Sequence, residues 1–253
     1  MRVYIYLCGS KYNLIMNKKS LVINIVSNLV IVLVIGLLFV GSLNRVGVSL
    51  VNGKNDAIYR GNQAESNVTP MFNVYWGTEY IEGILEVLEK RNIKTTFFVG
   101  GSWVAKNPEM LKLIVEKGHE IGSHGYLHRE ADKLNYQENL DEIEMSCRII
   151  EKYVNMRPTL FAPPSGAVGS AMFTACKDSN MTVIMWSKDT IDWRDKDKDL
   201  VLKRATSDIQ NGELILMHPT EHTLKALPKI LDFYIENGFN VVPVSHNIAP
   251  SKV

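Results

Sequence analysis

The chain has 253 residues, of which 46% are apolar, with 28 basic and 27 acidic side chains and a formal net charge of +1. That leaves room for one domain of about 200 residues plus extra segments, and it lacks the basic surplus of a nucleic-acid-binding surface. Cys8, Cys147 and Cys176 have neither metal-site spacing nor the density of a disulfide framework. Cys147 and Cys176 fall in helical periodicity and read as buried apolar thiols, with a single bridge between them the alternative.

The N-terminal part does not read as folded domain. Residues 1–20 are basic, with Arg2, Lys11, Lys18 and Lys19 and no acid. Leu21 to Leu43 is apolar except for Asn24, Ser27, Asn28, Ser42 and its glycines. It is long enough to span a bilayer, and the basic flank directs the C-terminal bulk outward. Met16 is an alternative start, since MNKK before an apolar run is typical of export signals, and Val40-Gly41-Ser42 is a weak cleavage site. The segment is expected to remain as a single-pass membrane anchor with an extracytoplasmic C-terminal domain, secretion after cleavage being the alternative. Residues 44–66 are polar, contain glycine and lack sustained periodicity, so they read as a linker. The Asn67-Val68-Thr69 sequon reads as chance.

From residue 67 to 253, short β-rich runs alternate with helical periodicity. MFNVYW precedes a helix carrying Ile81, Ile84, Leu85 and Leu88. TTFFVGG precedes a helix opened by Asn107 and Pro108 and closed by Gly118. HEIGSHG precedes a long helix with Leu140, Ile143, Cys147, Ile150 and Val154 on one face. TLFAPPSG, a short helix, TVIMWS, a helix near Leu202 to Ile209, LILMHP, a helix with Leu224, Leu227, Ile230 and Leu231, and VVPV complete the series. Strict alternation implies a parallel sheet, and seven strands suggest a distorted (β/α) barrel one unit short of eight. A doubly wound open sheet competes, but no glycine-rich phosphate loop follows the first strand.

The polar residues collect where barrel enzymes place their chemistry, at C-terminal strand ends. HGYLH follows the third strand, APPSG the fourth, SKDTIDW the fifth, and MHPTEH closes the sixth. Taken singly, each group has a bland reading. His124 and His128 can share one metal or be a surface pair; His218 can be a hydrogen-bonded core histidine; Asp189 and Asp192 can be helix caps. Trp76 can line a sugar platform or pack in the core.

In order, IKTTFFVGG, HEIGSHGYLH, WSKDTIDW and LILMHPTEHTLKALPKI resemble the polysaccharide deacetylases with the NodB-homology domain, or family-four carbohydrate esterases. The resemblance runs from about Val68 to Val244, and its flavour is that of sporulation-type or membrane-anchored deacetylase-like proteins of Gram-positive bacteria. It implies hydrolysis of N-acetyl groups from a cell-wall amino-sugar polymer such as peptidoglycan, by a monomer using a divalent metal, often zinc. On this pattern His124 and His128 hold the metal, His218 is the acid and Asp192 orients it. Trp76, Pro164, Ser165, Trp193 and Leu216 face the sugar.

The first motif departs from that pattern. Aligning Phe72 with the family phenylalanine puts Asn73 at the base aspartate and Val74 at the ligand aspartate. An amide cannot accept a proton near neutral pH, and valine cannot ligate. Ala162 stands where the family has an arginine and Ser165 where it has a tyrosine. A replacement carboxylate would have to come from Glu79 or Asp189. Two readings follow: a hydrolase with a substitute base, or a catalytically impaired glycan-binding module.

Overall fold

The computed structural model describes residues 2–7, 10–15, 27–28 and 57–250, divided into two units, Met1–Lys54 and Asn55–Val253. In the first unit β1 (Arg2–Leu7) and β2 (Ser10–Ile15) pair antiparallel, Arg2 opposite Ile15. The expected membrane span lies outside the described residues except for Ser27 and Asn28, which are helical. Among the described residues no helix is long and apolar enough to cross a membrane.

The second unit alternates strands and helices as its hydrophobic periodicity requires. Its strands are β3 (Ala57–Ile58), β4 (Asn67–Val74), β5 (Thr96–Val99), β6 (Glu120–Ser123), β7 (Leu160–Phe161), β8 (Thr182–Ile184), β9 (Lys188–Asp189), β10 (Glu213–Met217) and β11 (Asn240–Val241). The helices are α1 (Thr78–Glu89), α2 (Gly101–Lys106), α3 (Pro108–Glu116), α4 (Tyr136–Val154), α5 (Ser170–Asp178), α6 (Asp192–Asp195), α7 (Lys198–Thr206), α8 (Glu221–Glu236) and α9 (Val244–Asn247). All strand pairs in this unit are parallel, in the order β3-β8-β7-β6-β5-β4-β10-β9, with β11 beside the start of β4. β8 and β9 are two ends of one run: Thr182 pairs with Leu160 of β7, and Asp189 pairs with Leu216 of β10. That run carries the sheet round on itself, giving a barrel of the expected parallel kind.

Strand alternation divides the side chains into two layers. Phe72, Val74, Phe97, Val99, Ile215 and Met217 face outward and pack under Ile81, Leu85, Leu111, Leu227 and Ile230 of the helices. Met71, Phe98, Leu160, Ala162, Ile184 and Leu214 face inward and fill the barrel interior. Each fully buried large side chain contributes about 1.5–3 kcal/mol by leaving water. Continuing the inward parity along the same runs reaches Asn73, Tyr75, His124, Trp186, Leu216 and His218, so alternation alone delivers these groups to the C-terminal mouth.

Several expectations are corrected. Residues 57–66, read as linker, belong to the second unit: Ala57 and Ile58 pair with β8, and Arg60 forms an ion pair with buried Glu213 at 3.0 Å. A two-residue strand is too short to show periodicity. α7 starts at Lys198, not near Leu202, because the Asp197 side chain caps it through Asp199 and Leu200 N–H groups. Asn107 precedes α3 as expected, but its amide donates to Trp103 O instead of capping. Cys147 and Cys176 are both free and buried, and burial pushes their thiols up to about 11 and about 12. The sequon asparagine, Asn67, is buried at the start of β4.

Candidate functional site

The mouth of the barrel holds a cavity of about 540 Å³, lined by Asn73, Tyr75, Trp76, His124, His128, Ser165, Trp186, Asp189, Trp193, Leu216 and His218. Each side chain is placed by the strand end or turn that carries it. His124 follows β6 directly and is 2% exposed. Its Nδ1 lies 2.7 Å from the carbonyl oxygen of Ala162, which can only accept, so Nδ1 carries the proton and Nε2 keeps its lone pair. Burial, with His128 beside it, lowers its pKa to about 3, so the ring is neutral. His128 sits at a left-handed backbone position, φ 59°. Its loop is tied down by buried Glu142, whose Oε2 accepts from the Tyr126 and Leu127 N–H groups at 2.8 Å each. The two imidazole centroids are 4.9 Å apart, and Tyr75 lies 4.8 Å from His128. Burial lowers the pKa of His128 as well.

On the opposite wall, fully buried Asp192 opens α6. It accepts from the His218 backbone N at 2.6 Å, from the ring at Nδ1 at 2.8 Å, and from the Thr223 hydroxyl. His218 Nε2 is thereby left for the cavity, and the Trp76 indole stacks on the ring at 5.7 Å and 5°. Trp76 is 44% exposed and Trp193 52% exposed, so both present aromatic surface at the mouth instead of packing in the core. Gly77, at φ 77°, permits the turn after Trp76, because a Cβ there would meet Pro219 O at 1.9 Å.

The first motif behaves as its chemistry demands. Asn73 is 4% exposed, and its Oδ1 is enclosed without a hydrogen-bond partner. Val74 is 0% exposed and belongs to the outward layer, away from the cavity. Of the substitute carboxylates, Glu79 is exposed on α1 and outside the cavity lining, which excludes it. Asp189 does line the cavity; its Oδ1 accepts from Ile191 N at 2.8 Å, and burial raises its pKa. Even so, no group of three His, Cys, Asp or Glu side chains among the described residues is arranged to hold a metal ion. The His124 orientation suits a ligand, but two imidazoles without a carboxylate fall short of the three protein ligands of a catalytic zinc site. The residues present do not fit the divalent metal expected from the sequence.

Pro164 is also corrected: it is buried beneath Gly125 and does not line the cavity. Ser165, next to it at φ 57°, does. Tyr75, Trp186, Glu142 and Thr223 were missed. Tyr75 had a readable signal, being two residues beyond Asn73 on the same strand face. What remains chemically is an imidazole backed by a carboxylate, able to hold or move a proton at Nε2. It stands opposite a neutral amide that cannot take one.

Comparisons with known proteins agree with this geometry. A sequence profile of the family described as Polysaccharide deacetylase matches residues 60–184. The chain is 36% identical over 192 residues to the uncharacterized protein YlxY of Bacillus subtilis, covering 76% of this chain and 60% of that one. It is 33% identical over 144 residues to the peptidoglycan-N-acetylglucosamine deacetylase PgdA of Listeria monocytogenes, covering 57% of this chain and 30% of that one. The chain thus spans less than two thirds of either relative. A CE4 family pseudoenzyme from Bacillus anthracis superposes with a TM-score of 0.75 at 36% identity, over 78% of this chain and 70% of that one. The peptidoglycan deacetylase PdaC of Bacillus subtilis superposes with a TM-score of 0.67 at 29% identity, over 73% of this chain and 91% of that one.

Proposed function

Because the chain belongs to the polysaccharide deacetylase family, we propose that it is a member that binds cell-wall glycan in the inherited cavity without hydrolysing it. The observation that carries this reading is Asn73: an enclosed amide at the base position, beside a histidine pair with no third metal donor among the described residues. Without an acceptor for the proton of an attacking water, His218 has no partner for hydrolysis. The likeness to a CE4 pseudoenzyme at 36% identity supports the same conclusion. Trp76, Trp193 and Trp186 supply aromatic faces suited to pyranose rings. The similarity to peptidoglycan deacetylases supports a peptidoglycan-like polymer as the ligand. The basic flank and apolar run through Leu21 to Leu43 support a position on the outer face of the cell membrane.

The hydrolase reading keeps one supporting observation, since Asp189 shares the cavity with the His218–Asp192 pair and could act as a substitute base. The two readings separate in a peptidoglycan pull-down of the purified chain with and without EDTA. Retention unaffected by chelator, with the glycan recovered unchanged, is expected. Failure to retain peptidoglycan under either condition would overturn the binding reading, and recovery of deacetylated glycan would favour the hydrolase.

A further inference from the structure

The cavity lining brings a carboxylate and neither an ammonium nor a guanidinium group. Asp189 is its lining carboxylate, and no lysine or arginine is among its lining residues. His218 faces the Asp192 carboxylate directly, its Nδ1 at 2.8 Å. Arg194 and Arg204, whose charges reach Asp189, are both held by Asp195 instead, at 2.6 and 2.5 Å. Where the family pattern has an arginine, Ala162 is fully buried in the barrel interior.

A second observation is independent of charge. Asn73 Oδ1 is an enclosed acceptor with no donor, and a buried polar atom left unmet destabilises the fold until a donor reaches it. Asn73 lies on β4 and Asp189 on β9, the two strands flanking β10, so their backbones are roughly 10 Å apart across the mouth. Tyr75, Trp76, Trp186 and Trp193 surround the same space with aromatic faces, which attract cations.

Building on the glycan-binding reading above, we propose that the cavity selects amino-sugar units whose amine is free and protonated, in preference to N-acetylated units. A sugar ammonium brings one positive charge and three N–H donors, matching the Asp189 carboxylate, the orphaned Asn73 oxygen and the aromatic walls. An N-acetyl group brings one N–H and no charge. The protein would then recognise the product of the reaction that its deacetylase relatives are named for, marking wall already de-N-acetylated.

Calorimetric titration of the full-length chain with a β-1,4-glucosamine tetramer and with an N-acetylglucosamine tetramer, at about pH 6 where the sugar amine is charged, tests the proposal. The glucosamine tetramer is expected to bind at least about tenfold more tightly, a difference of about 1.4 kcal/mol. Asp189→Asn keeps an oxygen for the Ile191 N–H and is expected to abolish the preference. Asn73→Leu, which removes the orphaned acceptor, is expected to narrow it. Glu79→Gln, on an exposed carboxylate outside the cavity, should leave it unchanged. Equal or tighter binding of the N-acetylated tetramer, or a preference that survives Asp189→Asn, would overturn the proposal while peptidoglycan retention left the glycan-binding reading standing. If neither tetramer binds and peptidoglycan is not retained, both fall.

Discussion

Asp192 holds His218 at two points, accepting from its backbone N at 2.6 Å and from its ring Nδ1 at 2.8 Å. A third donor, the Thr223 hydroxyl at the start of α8, completes the set around a fully buried carboxylate. Such a carboxylate is stable in the folded state only while its donors remain. The fold therefore has a reason to keep this aspartate and histidine that does not depend on hydrolysis, which accounts for a well-formed pair opposite a neutral amide.

If the pair is structural, its loss must register as stability. Asp192→Ala leaves the His218 N–H, its ring and the Thr223 hydroxyl without their acceptor, and a loss of about 3 kcal/mol is expected. Urea unfolding of the variant beside the parent chain measures it. A change below about 1 kcal/mol would show that the pair carries little of the fold.

Zinc should bind weakly and without a defined stoichiometry, because among the described residues no third His, Cys, Asp or Glu is arranged beside His124 and His128 to hold it. Equimolar zinc should leave the melting temperature unchanged, since a ligand stabilises only in proportion to its binding of the folded state. His124→Ala should make no difference to that result. A zinc-induced rise in melting temperature that His124→Ala removes would establish a third ligand.

Acid should weaken the fold through a histidine outside the cavity. His119 is buried at the barrel bottom, its Nδ1 accepting from Thr95 N at 3.2 Å and its Nε2 enclosed without a partner. Burial, with Lys94 nearby, lowers its pKa to about 4. The unfolded chain takes up that proton below about pH 6.5, whereas the folded chain refuses it until about pH 4, so stability falls as pH falls through this window. Between about pH 7 and pH 5 the loss from this residue is roughly 2 kcal/mol. Buried His124 adds a loss of the same sign. His119→Gln should reduce the pH dependence of urea unfolding by about the first amount, and an unchanged profile would assign the acid sensitivity elsewhere.

Trp193 offers exposed aromatic surface at the cavity rim, and an aromatic platform is worth about 1 kcal/mol beyond the area it buries. Trp193→Ala should weaken glycan-oligomer binding about fivefold or more while leaving thermal stability nearly unchanged. Full-strength binding by the variant would take the sugar away from this rim.

Most of the barrel was legible because alternation and helical spacing record burial directly. Six of the seven expected runs lie in the sheet, while of VVPV only Val241 does and Val244 opens α9; the parity that puts Met71 in the interior and Phe72 under the helices also brings Asn73, Leu216 and His218 to the mouth. Turns were less legible, since neither periodicity applies there. Pro164 and Ser165 are adjacent in a short turn from Pro164 to Gly166, yet only Ser165 reaches the cavity. Glu79 was misjudged because the left-handed Gly77 sets the direction of α1, and a residue just past such a turn has no parity to follow. Glu142 was invisible on a helix otherwise patterned for burial, although its carboxylate ties down the loop that carries His128.

Acetate release from N-acetylated glycan oligomers and from peptidoglycan, by the purified chain supplied in turn with Zn²⁺, Co²⁺, Mn²⁺ or EDTA, tests the central claim most directly. With a neutral, enclosed amide at Asn73 and no third metal donor beside His124 and His128 among the described residues, no release above the EDTA background is expected with any metal, while peptidoglycan is still retained. Metal-dependent release that disappears in His124→Ala would contradict the account and make this cavity a working hydrolase.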